Sequence, residues 1–253
     1  MTKLRSKISK KTFDPAGEAW DSGCTHGKKE HTHMKKTLVI AAAALTLGVL
    51  SASAQSNVYS LNIVGYVNTV IKGNGEFTLL ANPLDAPTNT SVALVGGLLP
   101  NKSQVLTWNG ASYDTASKIA GVWNTNFNLP VGTGFFVKNG PVGSPALTNT
   151  FVGNVLGALP GTNSTSLPAG FILAGAKTPV GGLLTDTGAN TLNLGAVLAN
   201  KSQVLVWDNS GPGSYTTASK IAGAWNTNLT LSVGQGFFIK AFTAGSNWVQ
   251  ILQ

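Results

Sequence analysis

The chain has 253 residues and a formal net charge of +8, but that charge is not spread evenly. Beyond residue 54 the bases are Lys72, Lys102, Lys118, Lys138, Lys177, Lys201, Lys220 and Lys240, set against Glu76, Asp85, Asp114, Asp186 and Asp208, with no Arg, His or Cys. Singly scattered lysines exclude a nucleic-acid face, which needs clustered Lys and Arg, and the missing side chains exclude disulfides, thiolate nucleophiles, His bases and His-ligated metals from this stretch.

The start of the chain reads as processing signals. Residues 1–33 are densely charged and read as a disordered leader, the product of an over-extended start; a genuine extended leader is the alternative. Met34 opens a new pattern: Lys35-Lys36, an apolar run over 38–50, then Ser51-Ala52-Ser53-Ala54. A basic head, a short apolar run and an Ala-x-Ala site make a signal peptide over 34–54. The run is too short to span a membrane comfortably. Cleavage is expected between Ala54 and Gln55, and the product is expected outside the cell, on its outer surface or in the periplasm, with no membrane span left. Cys24, His26, His31 and His33 are metal-ligand types, but their spacing matches no zinc template and they lie in the leader. No metal and no cofactor are expected.

The mature chain is polar through Asn, Thr, Ser and Gly rather than through charge, as suits a β-protein with many turns. Residues 55–70 are strand-like, Lys72-Gly73-Asn74-Gly75 is a turn, and Phe77 to Ala81 is a short buried strand ended by Pro83. Thr88 to Leu99 suits a short helical turn, because Gly96-Gly97 prevents a long one. Ser103 to Trp108 is a strand with Gln104, Leu106 and Trp108 on one face. Asn109-Gly110 predicts a two-residue type I′ hairpin turn, with Ala111 to Ala120 returning. A turn at Trp123-Asn124-Thr125-Asn126 follows, and Val131-Gly132-Thr133-Gly134-Phe135-Phe136-Val137-Lys138 bends into a buried strand.

The rest repeats this order. Residues 116–126 return at 218–228, with Ala224 in place of Val122 as the single difference. Residues 101–108 match 200–207, and 131–138 match 233–240. The spacing between copies widens within Asp208 to Gly213, which places an insertion at a solvated hairpin tip. Further residues are gained within 179–200. Val64-Gly65-Tyr66-Val67 echoes Val152-Gly153-Asn154-Val155, as if each unit began with such a strand, and Trp248 to Ile251 suits a closing strand. The expected fold is all-β: two pseudo-symmetric tandem units, 55–147 and 148–253, in sandwich or barrel-like sheets behind a signal peptide.

The run from Asn57 to Val67, Leu80-Ala81-Asn82-Pro83-Leu84, the two Gly-x-Gly-Phe-Phe strands and Phe151-Val152-Gly153-Asn154-Val155 together resemble secreted tandem-repeat β-proteins of environmental Gram-negative bacteria. The resemblance covers nearly the whole mature chain. It implies export and β-architecture, and supplies no catalytic residue.

Candidate sites are few. Trp108 and Trp207 share a face with Leu106 and Leu205 and read as packing residues. Trp123, Asn124, Trp225 and Asn226 form duplicated Trp-Asn turns, which could stack on and hydrogen-bond a sugar; a structural corner is the competing reading and the favoured one. Asp114 and Asp208 have Thr216 and Asn109 as their counterparts in the other copy, so neither is a repeated acid, and none sits in a setting that suggests a glycosidase pair. Ser117 and Ser219 have no His. Gly132-Thr133-Gly134 is too short for a phosphate loop, and the carboxylates are too dispersed for calcium. The short, Gly-interrupted strands argue against a membrane β-barrel. The expected function is a secreted non-enzymatic structural or cell-surface interaction protein, the alternative being a carbohydrate-binding module at the Trp/Asn turns. The partner classes that suit are an extracellular polysaccharide or a cell-surface protein.

Overall fold

The paired phenylalanines set the layering. In a strand, neighbouring side chains point to opposite faces, so Phe135-Phe136 and Phe237-Phe238 must each bury one ring on either side of a sheet. In the computed structural model, which describes residues 63–157, 160–208 and 213–253, Phe135 enters the core of the first lobe and Phe237 that of the second. Phe136 and Phe238 enter a third cluster that draws on both lobes. This two-sided burial explains why these strands read as unbroken apolar runs.

The first lobe contains β1 (Val64–Ile71), β2 (Phe77–Ala81), a single wide helical turn α1 (Val92–Gly96), β3 (Gln104–Trp108), β4 (Tyr113–Ile119), β5 (Val122–Trp123), β6 (Gly134–Lys138) and β7 (Leu147–Asn154). The second contains β8 (Gly161–Leu167), β9 (Gly170–Ala174), β10 (Gly182–Leu183), α2 (Leu194–Val197), β11 (Gln203–Trp207), β12 (Tyr215–Ile221), β13 (Ala224–Trp225), β14 (Thr230–Leu231), β15 (Phe237–Ala241) and β16 (Ser246–Leu252). The five-stranded sheets run β2-β6-β3-β4-β5 and β9-β15-β11-β12-β13, the same order twice. The register matches too: Phe77 pairs with Lys138 as Phe171 pairs with Lys240. A two-stranded ribbon, β1-β7 or β8-β16, contributes to each lobe's core opposite the sheet. The layers are therefore ribbon, sheet, sheet, ribbon: a sandwich-like all-β fold. The outer edges of the sheets are β5 and β13, while β2 and β9 carry backbone bridges to the opposite lobe at Leu80–Gln235 and Ala174–Thr133.

Two sequence expectations are corrected. Val64 pairs with Asn154 and Gly65 with Gly153, so the two echoing segments are partners in one ribbon and do not open successive units. Residues 148–154 complete the ribbon of the first lobe, and the seam lies between Asn154 and Gly161. The residue pair Asn109-Gly110 does not form a two-residue turn: Trp108 pairs directly with Tyr113, leaving four residues in the loop. There the Asn109 Oδ1 accepts from the backbone N–H groups of Ala111 and Ser112, a side-chain-capped turn that competes with type I′ geometry. The tight turn with two left-handed residues is at Ala120-Gly121 (φ 50° and 86°) and again at Ala222-Gly223 (φ 50° and 88°). It sends β5 and β13 back along β4 and β12.

Other expectations hold. A helical turn lies within 88–99, β3 and β4 form the hairpin, and residues 248–251 lie in β16, which closes the second lobe against β8. The insertion at 208–213 falls in the connection between β11 and β12, with 209–212 outside the described residues. The leader, the signal peptide and its cleavage site, Cys24, His26, His31, His33 and residues 55–62 also lie outside them.

Candidate functional site: an aromatic cleft between the lobes

The contacts between lobes are reciprocal. Leu80 bridges to Gln235, and its counterpart Ala174 bridges to Thr133, the counterpart of Gln235. The Ala81 N–H donates to the Gly234 carbonyl at 2.9 Å, and the Gly175 N–H donates to the Gly132 carbonyl at 2.9 Å. Contacts in which i meets j′ and j meets i′ define a twofold relation. This is the physical reason for Gly-x-Gly before each Phe-Phe. A Cβ at Gly236 would lie 2.4 Å from the Leu80 carbonyl oxygen, and one at Gly134 would lie 2.9 Å from the Ala174 nitrogen. The second glycine of each motif lets the other lobe's backbone approach.

The dyad carries aromatic side chains from both copies. The Trp108 Nε1–H donates to the Phe171 carbonyl at 3.1 Å, and the Trp207 Nε1–H to the Phe77 carbonyl at 3.0 Å. Trp108 and Trp207 are half-buried there, so they serve the shared cluster and not their own lobes' cores. Each tryptophan ends a strand directly opposite a tyrosine: Trp108 meets Tyr113 at 5.1 Å between ring centroids and Trp207 meets Tyr215 at 5.0 Å. Phe136 packs edge-on against Trp207 at 5.2 Å, and Phe238 against Trp108 at 5.8 Å. Edge-to-face geometry is the preferred aromatic arrangement.

The packing stops short of filling this region. A cleft of about 210 Å³ opens between Phe77, Leu106, Tyr113, Phe136, Trp207 and Tyr215. Tyr113 and Tyr215 remain 39 % and 37 % exposed at it. Burial, then a hydrogen bond with Tyr113 and that residue's charge, push the Tyr215 phenol well above its ordinary value. It therefore stays protonated, a neutral hydrogen-bonding group in an otherwise apolar wall.

The Trp/Asn turns are built differently. Trp123 and Trp225 are half-buried, and their Nε1–H groups donate inward to the Gly96 and Gly195 carbonyls at 3.3 Å and 3.2 Å. The side-chain oxygens of Asn124 and Asn226 accept from the Ser117 and Ser219 backbone N–H groups, both at 2.8 Å. Lys118 and Lys220 brace the same corners, each donating to two carbonyls: Gly96 and Leu99, Gly195 and Leu198. The described residues hold no group of three or more potential metal ligands. Glu76, Asp85, Asp114 and Asp186 sit in separate local arrangements, with Lys72, Asn89, Asn109 and the Leu183 N–H respectively.

The sequence reading did not single out Tyr113 and Tyr215. The available signal was a Trp at one end of a hairpin arm and a Tyr at the start of the next, in both copies. Comparison with family models, curated proteins and solved structures finds no match to this chain.

Proposed function

We propose that this chain is an exported, non-enzymatic interaction protein that contacts its partner through the aromatic cleft between its lobes. The observation that carries this reading is the cleft itself: an unfilled, largely apolar opening with two part-exposed tyrosines. Apolar concave sites with few polar groups are the usual form of a binding site. The basic, apolar, Ala-x-Ala order of residues 35–54 supports export, either to the cell surface or beyond it. The carbohydrate reading at Trp123 and Trp225 draws less support, because the indole N–H groups and the Asn oxygens there are committed to the fold.

Two measurements test this. Cell fractionation with N-terminal sequencing should find a product beginning at Gln55 outside the cytoplasm; a cytoplasmic chain beginning at Met1 would overturn export. Incubation with oligosaccharide, ester and peptide substrates should leave them unchanged. Turnover abolished by D114N or D186N would overturn the non-enzymatic reading.

A further inference from the structure

The dyad is broken at one place. Tyr215 meets Phe238 at 5.9 Å and Tyr113 meets Phe136 at 5.8 Å, a matched pair. Tyr113 also reaches across to Phe238, at 6.5 Å between centroids. The corresponding contact, Tyr215 on Phe136, is absent among the described residues, and the cleft lies where it would be, with Phe136 and Tyr215 both in its lining. One copy's phenylalanine is thus covered by two tyrosine rings, whereas the other has one tyrosine and an open slot.

Building on the binding reading above, we propose that this slot takes a single phenolic ring, standing where the dyad would place the ring of Tyr215. Three observations support the ligand class. The matching position on Phe238 is filled by a phenol, that of Tyr113, so the surroundings already suit one. The cleft, at about 210 Å³, exceeds the roughly 150 Å³ that holds a benzene ring. Its polar side-chain groups are the Tyr113 and Tyr215 hydroxyls and the Trp207 N–H, and the last is already donated to the Phe77 carbonyl. One ligand hydroxyl can join the tyrosine pair, but a sugar ring would leave most of its hydroxyls without partners against Phe77, Leu106 and Phe136, which is costly. The phenol can come from a free small molecule or from a tyrosine exposed on a polypeptide.

The test is titration of the mature protein with p-cresol, cyclohexanol, cellobiose and the peptide acetyl-Gly-Tyr-Gly-amide, followed by the NMR shifts of the Leu106 methyl groups. The expected result is a saturable, upfield ring-current shift with p-cresol, at least tenfold tighter than any response to cyclohexanol and with none from cellobiose. Tighter binding of the peptide than of p-cresol assigns the source to a polypeptide tyrosine; the reverse assigns it to a free phenol. L106W, confirmed folded by its amide spectrum and followed by the Phe136 and Tyr215 amide shifts recorded in both proteins, should lose the response at least tenfold, and the wild-type shifts decide the matter if that variant does not fold. No saturable p-cresol shift, or equal affinity for cyclohexanol or cellobiose, overturns the proposal. A cellobiose response would do so while leaving the non-enzymatic binding reading intact.

Discussion

Trp123 and Trp225 donate their indole protons to Gly96 and Gly195 within their own lobes, whereas Trp108 and Trp207 donate theirs to Phe171 and Phe77 in the opposite lobe. In the sequence the two pairs look alike, since each is a tryptophan returning in a matched context. The structure separates them by where the acceptor lies. The corner pair fixes a hairpin to a helical turn, and the dyad pair fixes one lobe to the other. Repetition of a residue therefore reports a repeated environment, which can be a local core or the interface between the copies.

Changes at the two regions should differ in reach as well as size. Trp225→Ala should have the largest effect, a loss of about 3 kcal/mol, the low end for truncating a packed aromatic. Amide exchange should rise around 194–198 and 220–226 and leave the first lobe unchanged. Gly236→Ala drives a Cβ into the Leu80 carbonyl, and overpacking of this kind should cost about 2 kcal/mol. Here exchange should rise in both lobes, including the Ala81 amide that bridges them. An effect of Gly236→Ala confined to the second lobe would erase the distinction.

A smaller effect is tied to pH. The folded Tyr215 phenol holds its proton above the pH at which an unfolded tyrosine, of pKa about 10, releases it. Its contribution is complete below that value and shrinks as pH rises past it, because the unfolded state then binds fewer protons. Denaturant midpoints should fall above pH 10 more steeply in the parent than in Tyr215→Phe. The smallest change should be Ala222→Gly. A left-handed alanine costs about 1–2 kcal/mol, and the added chain entropy of glycine offsets roughly 0.5–1 kcal/mol of that. Thermal unfolding should show a slight gain in stability.

Much of the fold was legible in the residues, for stated physical reasons. Apolar runs such as Leu79 to Ala81 and Phe135 to Val137 marked strands buried on both faces. The Gly-x-Gly before each Phe-Phe marked special backbone, although its cause, close approach of the other lobe, is a long-range property that one strand's sequence does not carry. The Ala120-Gly121 turn was hidden because alanine is an unusual choice for a left-handed position. The candidate site was mostly illegible. Trp123, Asn124, Trp225 and Asn226 drew notice as polar-aromatic turns, yet those groups are engaged in holding corners. Tyr113 and Tyr215 lie far apart in the chain, and only the dyad brings their hydroxyls together.

The link between the lobes, residues 155–160, has a further consequence. Tethering two surfaces by a short segment makes their meeting intramolecular, at an effective concentration in the millimolar range. An interface held this way needs little intrinsic affinity, far less than the same two surfaces would require as separate chains. The lobes can therefore remain docked while the second copy drifts from the first, as at Asp114 and Thr216. The same tolerance allows a ring-sized gap at the dyad to persist without the lobes separating.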